Sequence, residues 1–156
     1  MSDYTMVSAP ESQIVPDEKV LHQVSTVEPL AAKQFAIEVA RVLADTRCHQ
    51  VVILDVTGIS PITDFLVIAS GTSPRQMKSA SDAAEELGDS VGYKTLSRVV
   101  ESSQWIVEDF VDVIVHVFSQ DARYYYDLDN LWGDARRVEW ERPAGEDSVA
   151  PREKSG

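Results

Sequence analysis

The sequence predicts an α/β domain built on a mixed five-stranded sheet flanked by helices, with elements in the order αββαβββα. Three observations carry that reading. "VVILDV" (51–56) and "FLVIAS" (65–70) are each continuous apolar runs rich in β-branched residues, the pattern of strands covered on both faces. Segment 73–92 is an apolar stripe of helical period with a capping signal at each end. Strand-like and helical segments that alternate in this way pack as a sheet with helices laid against it.

Taken in order, residues 1–28 hold Pro10, Pro16 and scattered acids with no sustained period, and are expected to form a disordered tail. Pro29 suits the first turn of a helix, and Phe35, Val39, Val42 and Leu43 recur at helical spacing to about residue 46. "TGISPIT" (57–63), between the two β-branched runs, is too short for a crossover helix, so those runs are expected to pair antiparallel. Ser73 then caps a helix, with Pro74 at its first position and Gln76 completing a capping box. Met77, Ala80, Ala84, Leu87 and Val91 form its apolar stripe, and Gly92 ends it. Strands are expected near 94–100, 105–109 and 113–118. A single helix from about 120 to 132 follows, with Tyr124, Leu128, Leu131 and Trp132 on one side. "ERPAGEDSVAPREKSG" (141–156) cannot bury a face, so the domain is read as 29–140 with a disordered tail after it.

Charge limits the function. With 26 acidic against 14 basic side chains the formal net charge is −12, which would repel a phosphate backbone, because nucleic-acid affinity comes largely from Lys and Arg displacing counterions. The domain itself is acidic: residues 30–140 carry 17 acids and 10 bases, and within 101–134 eight acids face Arg123 alone. Cys48 is the only cysteine, so no intrachain disulfide and no Cys-rich zinc site can form. No stretch approaches the roughly 20 apolar residues of a membrane helix, and the N-terminus lacks a signal-peptide pattern. A cytoplasmic location is expected.

Several residues invite a chemical role. "GTSPRQ" (71–76) puts small residues and backbone amides at a helix start, where an anion could sit, although a plain capping turn explains the same letters. Asp127 and Asp129 form a D-x-D, but alternate residues on a helix diverge and cannot clamp one ion. Asp109 and Asp112 are a second close pair, in a turn where acids are usual, and no metal is assigned. His116 shares a strand face with Ile114 and Phe118 and is read as a half-buried histidine with a satisfied ring. No motif sets a Ser or Cys nucleophile beside it. Trp105 precedes "IVED" next to Ser102, Ser103 and Gln104. It is read as an exposed anchor within a rim of acids, with a core Trp at a strand start as the alternative.

"LDVTGISPITDFLVIASGTSPRQ" (54–76), "WIVEDFVDVIVHVF" (105–118) and "ARYYYDLDNLW" (122–132) together resemble the ribosomal silencing factor family, also called Iojap-like proteins. The resemblance implies a nucleotidyltransferase-like fold without a retained catalytic set, no cofactor, and a translational repressor rather than an enzyme. It implies binding to the large ribosomal subunit through its fourteenth protein, a block to small-subunit joining, and a homodimer. Carried over by motif, the partner-binding residues are Trp105, Glu108, Asp109, Phe110 and Asp112, with Glu101, Asp121, Arg123 and Tyr126 as weaker candidates. Two departures stand out: Val111 replaces the Gly usual in the family, and "RVVESSQ" replaces an acidic-Gly pair ahead of the Trp, so the 110–112 turn is expected to differ in shape. The competing reading is a nucleotide-binding enzyme of nucleotidyl-transfer type, with Gly71–Gln76 holding phosphate and Asp55 or Asp64 holding metal.

Overall fold

A computed structural model describes residues 30–143. Its elements are α1 (Ala32–Asp45), β1 (His49–Asp55), β2 (Phe65–Gly71), α2 (Pro74–Val91), β3 (Ser97–Ser102), β4 (Trp105–Asp109), β5 (Val113–Ser119), α3 (Gln120–Tyr126), α4 (Leu128–Leu131) and β6 (Arg136–Val138). Pro29, the tail expected at 1–28 and residues 144–156 of the tail expected at 141–156 lie outside the described residues.

The two β-branched runs become β1 and β2, paired antiparallel as expected with Ile53 opposite Val67. Every residue of β2 is buried, because β5 runs parallel along its other side. The sheet order is β3-β4-β5-β2-β1-β6, with β2 and β5 the parallel pair. It has six strands where five were expected. The sixth, Arg136–Val138, pairs antiparallel with β1, Leu54 standing opposite Arg137. Two of its three residues are arginines, so its pairing comes from the free edge of β1 and not from its own β-propensity.

Both long helices cover one face of the sheet. Phe35, Val39 and Leu43 of α1 and Met77, Ala80 and Ala84 of α2 pack with Ile53, Val67, Val115 and Val117. The α2 caps form as expected: Ser73 Oγ accepts from Gln76 N at 3.1 Å, and Gly92 closes the helix with a left-handed φ of 93°. Gly88 brings α2 close to the sheet, since a Cβ there would stand 2.8 Å from Phe110 Cε1.

The other face is covered only in part. The single helix expected over 120–132 is broken at Asp127, which adopts a left-handed φ of 49° and separates α3 from α4. Asp tolerates that conformation better than most residues. Arg123 fixes the bend, donating to both Asp129 carboxylate oxygens at 2.9 and 3.0 Å and reaching Gln50 O and Ser70 Oγ on β1 and β2. Leu128 and Trp132 therefore pack on Leu54, Leu66, Ile68 and Phe118, while Tyr124 and Leu131 turn to solvent. Past β6 the chain returns to β1 and the first helix: Trp140 Nε1 donates to Val51 O at 2.9 Å, and Arg142, placed by sequence in the tail, pairs with Asp45.

Candidate interaction surface

Strand alternation sorts the motif 105–118 onto two faces. In β4, Ile106 and Glu108 point toward the helices, while Trp105, Val107 and Asp109 lie on the opposite face. Val99 of β3, and Ile114, His116 and Phe118 of β5, share that second face through their register with β4. There α3 and α4 shield Leu54, Leu66, Ile68 and Phe118, whereas Val107 and Ile114 stay half-buried and Val99 exposed. The result is a strip of open sheet.

Aromatic rings close one end of the strip. Trp105 stacks on Phe118 with centroids 5.1 Å apart and meets Tyr126 at 4.6 Å. Its indole Nε1 donates to His116 Nδ1 at 3.1 Å, and burial lowers the His116 pKa to about 4. That satisfied, half-buried histidine is the one expected. Trp105 itself is half-buried and holds the stack together, so it is not the freely exposed residue expected.

The acids sit elsewhere than the motif suggested. Asp109 ends β4, about 13 Å from Trp105 along four strand residues, and Asp112 follows in the turn beyond it. Glu108, expected at the surface, is buried. Only 1% exposed, it accepts from Ser81 Oγ at 2.6 Å and Thr95 Oγ1 at 2.9 Å, with Arg98 Nε at 3.6 Å. Burial raises its pKa, against these hydrogen bonds and the Arg98 charge. Phe110 is 2% exposed, edge-on to Phe35, and is likewise core. Arg123 is buried in the Asp129 pair, whereas Asp112, Glu101, Asp121 and Tyr126 lie at the surface and Asp109 is half-buried. Sequence reading missed Val99 and Val107 as floor residues. Strand parity counted outward from Trp105 would have found Val107, and only the β3–β4 register reveals Val99.

Between Phe110 and Asp112 the backbone makes a γ-turn. Asp112 N donates to Phe110 O at 3.0 Å, Val111 has φ 77°, and Asp109 Oδ1 accepts from Val111 N at 2.7 Å. Val111 thus occupies the left-handed conformation that a glycine takes without strain.

The Gly71–Gln76 turn is closed by its own cap. Thr72 N donates to Gln76 Oε1 at 2.8 Å and Gln76 N to Ser73 Oγ, so two of the amides an anion would need are engaged. Asp55 accepts from Thr57 N. Among the described residues no cluster of three or more His, Cys, Asp or Glu is placed to hold a metal, and no helix is long and apolar enough to cross a membrane.

Comparison with known proteins identifies the family. The family model "Ribosomal silencing factor during starvation" matches residues 29–155. A ribosomal silencing factor from Halalkalibacterium halodurans is 39% identical over 99 residues, covering 62% of this chain and 84% of that protein. One from Haemophilus influenzae is 35% identical over 104 residues, covering 66% and 99%. The chloroplastic Iojap protein of Arabidopsis thaliana is 29% identical over 105 residues, covering 67% of this chain and 44% of its own length. A crystal structure of a Bacillus halodurans protein superposes with TM-score 0.56 at 33% identity, covering 68% of this chain and 94% of that one. A family match over residues 29–155, relatives 35% and 39% identical over about two thirds of the chain, and a shared fold place this protein in the ribosomal silencing factor family.

Proposed function

We propose that this protein is a translational repressor that docks on the large ribosomal subunit through that subunit's fourteenth protein and keeps the small subunit from joining. The observation that supports this reading best is the open strip of sheet, with an aromatic stack at one end and Asp109 and Asp112 at the other. A half-buried apolar floor with acids at its margin suits a basic protein surface, and the net charge of −12 turns the molecule away from surrounding RNA phosphate. The contact residues on this reading are Trp105 with Val99, Val107, Asp109, Asp112 and Tyr126, and Glu101 and Asp121 lie on its margin.

The role is non-enzymatic on this proposal: a fold of nucleotidyltransferase type serves for binding, and its strand-to-helix turn at 71–76 is closed by capping. The protein works where ribosomes are, in the cytoplasm, and is a homodimer when free. Sedimentation of the purified chain with separated ribosomal subunits tests the reading. It should travel with large subunits and not with small ones, and Asp109→Lys with Asp112→Lys should stay at the top of the gradient. Wild-type protein that sediments with neither subunit would reject the proposal.

A further inference from the structure

A cavity of about 740 Å³ lies between the β3–β4 turn and α3, lined by Ser102, Gln104, Asp121, Tyr124, Tyr125 and Tyr126. One side of it is fixed by internal contacts. Gln104 Oε1 accepts from Ser119 Oγ at 2.9 Å, Ser102 Oγ accepts from Gln104 N at 3.1 Å, and Tyr126 is held by Trp105 and Phe118. Tyr125 meets Tyr126 edge-on at 5.0 Å. Tyr124 and Tyr125 are nevertheless 88% and 79% exposed, and among the described residues no hydrogen bond engages the three phenol hydroxyls. The fold gains little from leaving two tyrosines in water. Asp121 is the only charged residue in the lining.

We infer that this pocket receives an arginine side chain presented by a protein partner. A guanidinium is a planar cation that stacks on tyrosine rings while its N–H groups reach a carboxylate and hydroxyls in the same plane, and the pocket offers those three groups together. Lysine meets the charge without the stacking. A nucleic-acid base would stack on the same rings, but its phosphates would meet Asp121 and a chain of net charge −12. The inference relies on the proposed docking role only for which partner supplies the arginine.

The test titrates the full chain with acetyl-Gly-Arg-Gly-amide, its lysine and citrulline counterparts, and triuridylate, following tyrosine ring resonances. The arginine peptide should shift Tyr124 and Tyr125 and bind about fivefold tighter than the lysine peptide, with citrulline silent. Asp121→Asn should weaken the arginine peptide by a similar factor, and the double variant Tyr124→Ala with Tyr125→Ala should abolish binding. Citrulline binding as well as arginine, triuridylate binding more tightly, or indifference to Asp121→Asn would overturn the inference. Sedimentation of the wild-type chain with large subunits is read in parallel. Normal sedimentation with no peptide binding overturns the pocket alone, while peptide binding without sedimentation supports the pocket and overturns the docking role.

Discussion

The indole N–H of Trp105 donates to Nδ1 of His116 at 3.1 Å, tying the first residue of β4 to the strand beside it. The bond requires a neutral imidazole with Nδ1 bare. The folded pKa of about 4 lies below the ordinary 6.5, so the unfolded chain takes up this proton first. Stability should therefore fall as pH drops from 6.5 to about 4, by about 3 kcal/mol in all. Asp82 and Asp129, whose carboxyls are held low by Arg98 and Arg123, contribute stability that is lost only below the unfolded Asp range, beneath most of this window. Urea unfolding at pH 7 and pH 4.5 should show a smaller acid loss for His116→Phe than for wild type.

Trp105 should be a stability residue, whatever its part in the proposed docking. Trp105→Phe keeps most of the ring packing but strands His116 Nδ1, a loss of about 1 kcal/mol. Trp105→Ala empties the stack against Phe118 and Tyr126 and should cost about 3 kcal/mol. Equilibrium denaturation checks that order. Equal stability of all three proteins would return Trp105 to the role of a freely exposed anchor.

Val111 holds a β-branched side chain at φ 77°, a conformation that costs an L-residue about 1–2 kcal/mol. Its side chain is exposed, so removing it forfeits little burial. Val111→Gly should raise unfolding free energy by about 1 kcal/mol, net of the extra freedom glycine has when unfolded. Thermal denaturation should rank Gly above Val, with Ala gaining less because it stays at positive φ.

Glu108 should behave as a buried structural acid. Glu108→Ala strips the acceptor from buried Ser81 and from Thr95 and removes one of the three carboxylates around Arg98, and should cost about 3 kcal/mol, whereas an exposed acid would cost about 0.5 kcal/mol or less. Its pKa is raised in the folded state, so its own contribution becomes less favourable as pH rises from the unfolded value of 4.5 through the folded one. That sign is opposite to His116 in the same window. Glu108→Gln should flatten it, which comparison of urea curves at pH 4.5 and 7 will read. Subunit association of this variant should keep its wild-type dependence on salt.

Much of the fold was legible because local signals and tertiary packing agree. The Ser73 cap of α2, the runs of β1 and β2 and the face that His116 takes on β5 each follow from local sequence pattern. The failures involve partners distant in sequence. Asp127 breaks a helical period because Arg123 reaches Asp129, Gln50 and Ser70, and β6 exists because β1 offers an open edge. Likewise "EDFVD" reads as an acidic surface until the pleat turns Glu108 inward and Phe110 lodges against Phe35 and Gly88. Charge in a sequence does not say which face it takes. At the turn where the family usually has glycine, Val111 sits at a positive φ of 77°, a conformation strained for a β-branched residue.

The central claim is repression by occupancy, with no covalent step. A domain of this size is roughly 30 Å across, enough to hold two subunits apart from one docked copy. The most direct measurement mixes purified large and small subunits with increasing protein and follows joined ribosomes by light scattering. The account predicts inhibition that saturates near one copy per large subunit, persists without nucleotide and reverses on dilution. Inhibition by a small fraction of a copy, or inhibition that remains after the protein is washed away, would contradict it and point to modification of the ribosome.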